Sequence, residues 1–225
     1  MKKKVAVITL VMVSVLGGCG TQNAKVLSNV ENGISISIDS VSSVEDICNV
    51  KEDGELWFVD TEKLQGDTLS IPSNVKGRVV TSLYEGLFSG DKTLRSITIP
   101  DTVTNIGSRC IYFCENLQEV VLEGSSIELG NNNFYCCEKI KELHMESVRS
   151  IGKRCFVGLD DCDIYLSKDL ESIGKGSLLS LDGNSMRLHI QKGSSGAKVL
   201  NTFIEIEKAD SVNGKYYNNV SVIEE

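Results

Sequence analysis

Apolar and glycine positions recur along residues 83–178 with a step of 22 to 23 residues. An apolar column is followed at the next position by a glycine column, and four positions later by an aromatic or aliphatic one. The three columns are Leu83, Ile106, Leu129, Ile151 and Ile173; Tyr84, Gly107, Gly130, Gly152 and Gly174; and Phe88, Ile111, Phe134, Phe156 and Leu178. Copies that keep three columns in step must share one shape, and this period is typical of a solenoid of stacked coils.

A short strand signal precedes each copy. Ile97 and Ile99 lead into Pro100, which has no N–H to donate and therefore ends the strand. Gly107 then marks a turn that a Cβ would obstruct. Similar triplets, each with its ends pointing inward and its middle residue outward, recur at 69–71, 120–122, 143–145, 164–166 and 188–190. The pattern predicts a mainly β chain with short helical or 3-10 turns, wound as a right-handed solenoid of about five to six coils and capped at both ends.

The two ends of the solenoid carry other signals. Residues 33–68 are predicted to be capping strands, because Ile34–Ile38 alternates and 56–59 is apolar, and Trp57 is expected to cover the first coil. Residues 69–202 are the predicted solenoid with a closing helix that begins near Ser194. Residues 203–225 are predicted to be a strand-rich cap or extension, because Asn213-Gly214 is typical of a hairpin turn.

Residues 1–18 are typical of an export signal. Three lysines precede the apolar run Val5–Leu16, which is too short to span a bilayer as a helix. The run continues into Gly17-Gly18-Cys19, which resembles the lipobox of bacterial lipoproteins. The resemblance implies cleavage after Gly18 and a diacylglyceryl group on the Cys19 sulfur; an ordinary signal peptide is the alternative. Residues 19–32 are then a lipidated N-terminus and polar tether.

Charge and motifs exclude several functions. Cleavage after residue 18 would remove three of the 23 basic residues. The remaining chain would have 20 basic and 31 acidic residues, a net charge of −11. Such a chain repels phosphate backbones, so we expect no nucleic acid partner. We find no phosphate loop, nucleophile elbow or paired-histidine zinc motif, and we therefore predict no enzyme activity, cofactor or metal. Seven cysteines lie beyond Cys19, and the repeat positions of Cys110, Cys114, Cys137, Cys155 and Cys162 indicate that they pack in the core, although Cys114 and Cys137 could form a disulfide between coils.

The repeat resembles the BspA-like class of bacterial leucine-rich repeats. The residues that carry the resemblance are Leu69-Ser70-Ile71-Pro72, Gly86-Leu87-Phe88-Ser89-Gly90, Ser96-Ile97-Thr98-Ile99-Pro100 and Asn105-Ile106-Gly107. The resemblance covers about residues 55 to 205. Three residues depart from the family pattern. In the third copy Glu123 stands where proline is usual and Asn133 where a small residue is usual, and in the fifth copy Leu178 stands where phenylalanine is usual. We therefore expect the coils to be less regular at these positions. The resemblance implies a surface-exposed bacterial protein that binds other proteins.

One face of the predicted solenoid is the candidate binding surface. The middle residues of the triplets form one row and the residues before them a second. The candidate partner-binding residues on these rows are Glu119, Val121, Glu142, His144, Asp163, Tyr165, Arg187 and His189. Glu119, Glu142 and Asp163 lie in adjacent coils and predict an acidic strip, suited to a basic partner or to a cation such as calcium. The alternative is that polar residues simply fill an exposed face.

The predicted function is that of an exported lipoprotein, held to the bacterial membrane through Cys19 and exposed at the cell surface. Its solenoid is expected to bind a protein partner, such as a basic or host matrix protein, in adhesion to host or neighbouring cells. A carbohydrate- or cell-wall-binding module is the alternative, although Tyr165 is the one aromatic residue clearly placed on the strand face. An enzyme site in the C-terminal region is a third hypothesis. The oligomeric state is not predicted.

Overall fold

The computed structural model describes residues 43–159, 161–179, 185–210 and 219–225. The export signal over 1–18, Cys19 with its tether to residue 32, the strand Ile34–Ile38 and the turn at Asn213-Gly214 lie outside these residues. The described residues form a mainly β solenoid of about six turns with one α-helix and short 3-10 turns. This architecture confirms the predicted fold class.

Most coils contribute one strand to each of two ladders, which are parallel except where the first strand pairs antiparallel with the second; a separate two-stranded antiparallel sheet lies outside both. The strands, in chain order, are β1 (Cys48–Val50), β2 (Glu55–Val59), β3 (Thr68–Ser70), β4 (Asn74–Val75), β5 (Arg78–Val79), β6 (Ser82–Leu83), β7 (Ser96–Ile99), β8 (Asn105–Ile106), β9 (Glu119–Leu122), β10 (Ile127–Leu129), β11 (Glu142–Met145), β12 (Val148–Ile151), β13 (Cys162–Leu166), β14 (Ser172–Ile173), β15 (Met186–Ile190) and β16 (Val220–Glu224). The helix α1 is Ser195–Ala209, and 3-10 helices cover Val44–Ile47 and Thr61–Lys63.

The two ladders differ in continuity. One is a seven-stranded sheet in the order β1-β2-β6-β8-β10-β12-β14. The other, which we call the strand face, consists of a three-stranded sheet, β3-β7-β9, and a four-stranded sheet, β11-β13-β15-β16. The strand face is therefore divided between β9 and β11, whereas the seven-stranded sheet runs through without a break.

The periodic columns of the sequence form the core. Direct register partners in successive strands, each at most 3% exposed, are Leu83, Ile106, Leu129 and Ile151. The aromatic or aliphatic column is as well buried, and the rings of Phe134 and Phe156 stack with centroids 6.1 Å apart. Burial of each such side chain contributes about 1.5–3 kcal/mol. Because the contacts run from coil to coil, each coil is stabilised mainly by its neighbours.

The glycine column is required by close approach between coils, and not by a left-handed backbone. A Cβ on Gly152 would lie 2.5 Å from the carbonyl carbon of Gly130, and a Cβ on Gly107 would lie 2.6 Å from the backbone nitrogen of Glu85. These contacts are with backbone atoms, which cannot move aside. A larger residue would therefore force neighbouring coils apart.

Asn133 departs from the repeat pattern but bridges the coils around it. Its side chain is fully buried; Nδ2 donates to two glycine carbonyls at 2.9 Å each, and Oδ1 accepts a hydrogen bond from the backbone N–H of Ile111 at 3.0 Å. In the next two coils Cys155 and Ser177 occupy the same position, and each also donates to two glycine carbonyls. The position therefore carries a ladder of polar groups inside the turn.

The C-terminal helix is longer than the sequence predicts. The solenoid was expected to close by residue 202, but α1 continues through Ala209. The reason is that Phe203, Ile204 and Glu207 extend its inward face onto the core, so residues 203–209 are helical and not part of a strand-rich segment. The Ser194 hydroxyl caps the helix by accepting the backbone N–H of Ala197 at 3.1 Å. After it, β16 adds to β15 in parallel.

Cysteines fill core positions, as expected. Six of the seven described cysteines are buried, and none of these six forms a disulfide. Burial raises the pKa of Cys48 to about 11 and that of Cys155 to about 12, which makes both thiols poor nucleophiles. The neighbouring Cys114 thiol of the preceding coil and burial together raise the pKa of Cys137. The expectation for Trp57 is wrong: its ring is 47% exposed beside Phe58, because the inward positions of β2 are taken by Leu56 and Val59.

Candidate functional site

The strand face aligns the candidate residues in the predicted rows. On the three-stranded sheet Ser96 pairs with Glu119 and Thr98 with Val121. On the four-stranded sheet the register partners are Glu142 and Asp163, His144 and Tyr165, Asp163 and Arg187, and Tyr165 and His189. Because the strand face divides between β9 and β11, Glu119 and Val121 lie on one sheet and the other six candidates on the other.

His144, Tyr165 and His189 stack into one ladder of rings, which we call the ring ladder. The centroids of His144 and Tyr165 are 4.7 Å apart with an interplanar angle of 8°, and those of Tyr165 and His189 are 4.4 Å apart at 18°. The strand register places the three side chains one above another. Stacked aromatic pairs contribute about 0.5–1.5 kcal/mol each beyond area burial, so the ladder is a rigid, flat surface.

Each histidine of the ring ladder is held by two carboxylates. His144 Nδ1 lies 3.1 Å from Glu146 Oε1 and its Nε2 3.0 Å from Glu142 Oε1. The hydrogen bond to Glu146, followed by the other charge contacts, raises the pKa of His144 above its usual value. The ring can therefore carry a positive charge nearer to neutral pH than a free histidine.

His189 has the same arrangement in a more enclosed position. Its Nε2 lies 2.8 Å from Asp163 Oδ1 and its Nδ1 3.1 Å from Glu225 Oε1, and its side chain is only 14% exposed. The hydrogen bond to Asp163 is the main cause that raises the pKa of His189. The pKa of Tyr165 is also raised, first by desolvation and then by the surrounding carboxylates, so its hydroxyl stays protonated.

Asp163 joins the ring ladder to Arg187. The Arg187 guanidinium donates from Nε at 2.7 Å and from Nη2 to the two oxygens of the carboxylate. This fork lowers the pKa of Asp163 to about 2. Glu119 is likewise engaged, because it accepts the Ser96 hydroxyl at 2.9 Å. The three carboxylates of the predicted acidic strip, Glu119, Glu142 and Asp163, are therefore partnered within the molecule.

Two clefts flank the ring ladder. One, of about 400 Å³, opens where the strand face divides and is lined by Glu119, Val121, Glu142 and His144 among others. The second, of about 440 Å³, lies at the carboxyl ends of β13 and β15 and includes Tyr165, His189 and Glu225. The first cleft brings all the candidates of β9 and β11 to one depression. Both clefts are open and mix polar with apolar walls, which suits a partner's side chains.

Sequence reasoning missed two features. Glu225 follows β16 and reaches His189, but no repeat signal places β16 beside β15. A second aromatic group, Tyr112, Phe113 and Tyr135, lies on a turn away from the strand face with centroids 4.7 to 5.7 Å apart. Its signal was available in the sequence, since Phe113 stands at a position that is glycine in other coils.

The site shows no built metal centre. Among residues 43–159, 161–179, 185–210 and 219–225, no group of three or more histidine, cysteine or acidic side chains is arranged to hold a metal ion. Within the same ranges, none of the helices combines the length and the apolar character needed to cross a bilayer. What the arrangement can do chemically is bind: it offers flat rings, paired charges and shallow clefts.

Comparison with solved structures finds similarity to leucine-rich repeat proteins. The chain is similar in fold to a leucine-rich repeat protein from Bacteroides capillosus, at 24% identity over 44% of this chain and 75% of the other, with a TM-score of 0.39. It is also similar to a leucine rich cell surface protein from Faecalibacterium prausnitzii, at 20% identity over 65% of this chain and 44% of the other, with a TM-score of 0.49. A leucine rich repeat protein of T. pallidum aligns at 16% identity over 64% of this chain and 81% of the other, with a TM-score of 0.40.

No curated protein sequence matches this chain. The family described as the BspA type leucine rich repeat region matches residues 54–187 in six copies. That range includes the glycine column, the aromatic column and most of the strand face. Because the match spans more than half of the 225 residues, the chain belongs to the BspA type leucine-rich repeat family.

Proposed function

We propose that this chain is a lipid-anchored protein of the bacterial cell surface that binds a protein partner through the ring ladder and its flanking clefts, in adhesion to host or neighbouring cells. The observation that carries the proposal is the stack of His144, Tyr165 and His189, which is ordered although it lies on the surface. A flat, preordered surface loses little conformational entropy on binding. Repeat solenoids use such continuous faces to bind other macromolecules.

The rim of the ring ladder indicates a partner with basic groups. Glu142, Glu146 and Glu225 lie around the rings, and each holds a histidine through one oxygen. A lysine or arginine of the partner could approach the outer side of these carboxylates and the faces of the rings. Asp163 has a different role, because its pairing with Arg187 orients the carboxylate that positions His189.

The anchoring half of the proposal rests on the sequence of the N-terminus. Three lysines, the run Val5–Leu16 and the Gly17-Gly18-Cys19 segment are the features of an exported lipoprotein. Acylation of Cys19 would tether the solenoid at the membrane with its faces free to meet another surface. Mass spectrometry of the native N-terminus tests this half: a free, unmodified Cys19 or an uncleaved residue 18 would refute it.

The binding half is tested by adhesion of cells that display the full chain. Cells of a non-adherent bacterial host would express the wild type, Tyr165→Ala or the control Trp57→Ala, whose exposed ring lies on the seven-stranded sheet, and attachment to immobilised extracellular-matrix proteins and to other bacteria would be counted. We expect Tyr165→Ala to reduce attachment by about tenfold or more, as loss of a central aromatic residue does in other interfaces. The control removes an aromatic side chain away from the strand face and should attach like wild type. Equal attachment by all three would refute the role of the ring ladder.

A further inference from the structure

A basic groove lies along the edge of the solenoid, where the chain turns directly after each glycine of the glycine column. Its volume is about 390 Å³, and its lining residues, which define the basic groove, are Asn131, Asn132, Lys153, Arg154, Lys175, Gly176 and Leu179. Successive coils contribute the two residues that follow the column glycine, so the cations stack in register. The groove lies beside the seven-stranded sheet and shares no lining residue with the clefts of the ring ladder.

The groove concentrates positive charge in a chain of net charge −8. Three of its side chains are cationic and none is acidic. Lys175 pairs with Asp210 at 2.9 Å, but Lys153 and Arg154 make no ion pair with any residue in the described part of the chain. Elsewhere on the solenoid some cations are partnered, as Arg149 is by Glu171, and others such as Lys198 pair with none of the described residues, so what distinguishes the groove is that its cations come from adjacent coils. The groove therefore offers two uncompensated cations to an anionic ligand.

One cation of the groove, Arg154, lies on backbone in the left-handed conformation. Arg154 adopts a φ of 55°, in the left-handed region that side chains other than glycine rarely enter. The same position is glycine, with a φ of 73°, at Gly176 in the next coil. A left-handed arginine is less stable than glycine by about 1 kcal/mol. The equivalent residues Arg109 and Asn132 are also left-handed, at φ of 55° and 57°, so this conformation belongs to the turn and glycine at position 154 would fit it without strain.

The second aromatic group begins near the groove, because Tyr135 follows the groove-lining Asn132 by three residues in the same turn. The positive charge of Arg154 is close enough to Tyr135 to act against the desolvation that raises the pKa of that hydroxyl. Tyr135 packs with Tyr112 at 5.3 Å and with Phe113 at 5.7 Å between centroids. Phe113 is 42% exposed and also has a left-handed backbone, with a φ of 53°. Two strained positions thus place a cation and an aromatic ring on one surface.

We propose that the basic groove and the second aromatic group, Tyr112, Phe113 and Tyr135, together bind an anionic polysaccharide. We call these three residues the Tyr135 cluster. The carboxylate or sulfate groups of the sugar would bind Lys153 and Arg154, with the Asn131 and Asn132 amides beside them. The apolar C–H face of a sugar ring would pack on the Tyr135 cluster. Charge complementarity favours an anionic ligand, and the exposed rings favour a sugar over a bare phosphate or sulfate ion. The site belongs to the carbohydrate-binding class and is independent of partner binding by the ring ladder.

The test measures binding of the purified full chain to defined oligosaccharides by isothermal titration calorimetry. The probes are a heparin-derived decasaccharide, a dextran oligosaccharide of equal length as the neutral control, inorganic sulfate, and a polyphosphate of matched charge. We expect saturable binding of the decasaccharide, none of dextran, and affinities at least tenfold weaker for sulfate and polyphosphate. Binding of dextran as tight as that of the decasaccharide would overturn the role of charge, and equal binding of polyphosphate would overturn sugar recognition.

Variants locate the site. The double variant Lys153→Gln with Arg154→Gln should lose binding by tenfold or more, because two ligand-facing cations are removed. The matched control Lys139→Gln with Lys198→Gln removes two exposed cations from other surfaces and should bind like wild type. If both doubles lose equally, binding follows net charge and the proposed site is refuted.

Arg154→Gly separates binding from folding. Glycine relieves the left-handed backbone, so this variant should keep the wild-type melting temperature or exceed it, and yet bind the decasaccharide several-fold more weakly. Tyr135→Ala should weaken binding by about fivefold while leaving polyphosphate binding unchanged. Wild-type affinity in both variants would overturn the proposal. Because the adhesion assay varies Tyr165 and this assay varies Arg154, failure of either function leaves the other result interpretable.

Discussion

Replacement of Asn133 by alanine is the most direct test of how an irregular coil is held in the stack. The side chain is fully buried and makes three hydrogen bonds, from Nδ2 to the carbonyls of Gly107 and Gly130 and from the N–H of Ile111 to Oδ1. In the coil after Asn133, the N–H of Phe156 instead donates to a backbone carbonyl of the next coil. The Asn133 amide oxygen thus substitutes for a backbone acceptor.

The magnitude follows from which groups keep a partner in Asn133→Ala. The Ile111 N–H would be buried and unpaired, which costs about 1–3 kcal/mol. The Gly107 carbonyl keeps the N–H of Cys110 at 3.3 Å, and that of Gly130 keeps a second donor in the thiol of the next coil at 3.2 Å. Loss of the Asn133 hydrogen bond to each carbonyl therefore lowers the free energy of unfolding by only about 0.5–1.5 kcal/mol. The free energy of unfolding should fall by about 4 kcal/mol, a large part of the usual stability of a single domain.

Urea unfolding followed by circular dichroism measures this loss. The midpoint should fall while the slope stays constant, since the surface exposed on unfolding is unchanged. Asn133→Ser restores a donor to the two carbonyls but cannot reach Ile111, so it should recover about half of the loss. Asn116→Ala, which removes an amide that contacts the Lys92 carbonyl at 2.7 Å on the exposed side of a turn, should cost under about 1 kcal/mol. If Asn133→Ala lowers the free energy of unfolding by less than about 1 kcal/mol, water or backbone movement satisfies these groups and the reasoning is refuted.

The remaining predictions concern the glycine column, the ring ladder and backbone strain. Gly152→Ala should lower the free energy of unfolding by about 3 kcal/mol or more, measured by urea unfolding, because its Cβ would lie 2.5 Å from backbone of the preceding coil. The pKa of His189 is raised by Asp163 and Glu225, so its contribution to stability is full below pH 6.5 and is lost as the pH rises through the raised pKa. His189→Gln should therefore flatten the fall in urea midpoint that occurs as the pH rises from below 6.5 through the raised pKa; Asp163, with a pKa of about 2, titrates far below that range. Phe113→Gly should melt at or above the wild-type temperature, because glycine adopts a φ of 53° without strain.

The repeat could be predicted from the sequence because a core column admits few residue types. Leu129 and Ile151 must be apolar and Gly130 must lack a Cβ, and both demands recur in each coil with the same spacing. The rows of the strand face follow from the same register, since residues at equal positions in adjacent coils are paired in parallel. His144 and Tyr165 were therefore placed side by side correctly without any knowledge of their contacts.

The electrostatics of the face could not be predicted in the same way. The register places Asp163 next to Glu142 and Arg187 alike, and only side-chain conformation decides which of them it contacts. The contact of His189 with Glu225 depends on β16, which is separated from the repeats by a helix. The end of that helix was also missed, because Phe203 lies beyond the last repeat and its inward direction follows from packing on the core.

The turns show most clearly where function can enter a repeat fold. The core columns are constrained in each coil, so variation is confined to the outward strand positions and to the turn positions that glycine would satisfy. On the strand face, outward variation produced a stack of rings with no effect on the core. At the turns, Phe113 and Arg154 occupy left-handed positions, at φ of 53° and 55°, where a glycine would be more stable. Other residues share this backbone conformation, among them the fully buried Phe134 at a φ of 59°, so strain alone does not mark a residue for binding. The case for the turn edge rests instead on its surface chemistry, which combines stacked cations with an exposed aromatic side chain.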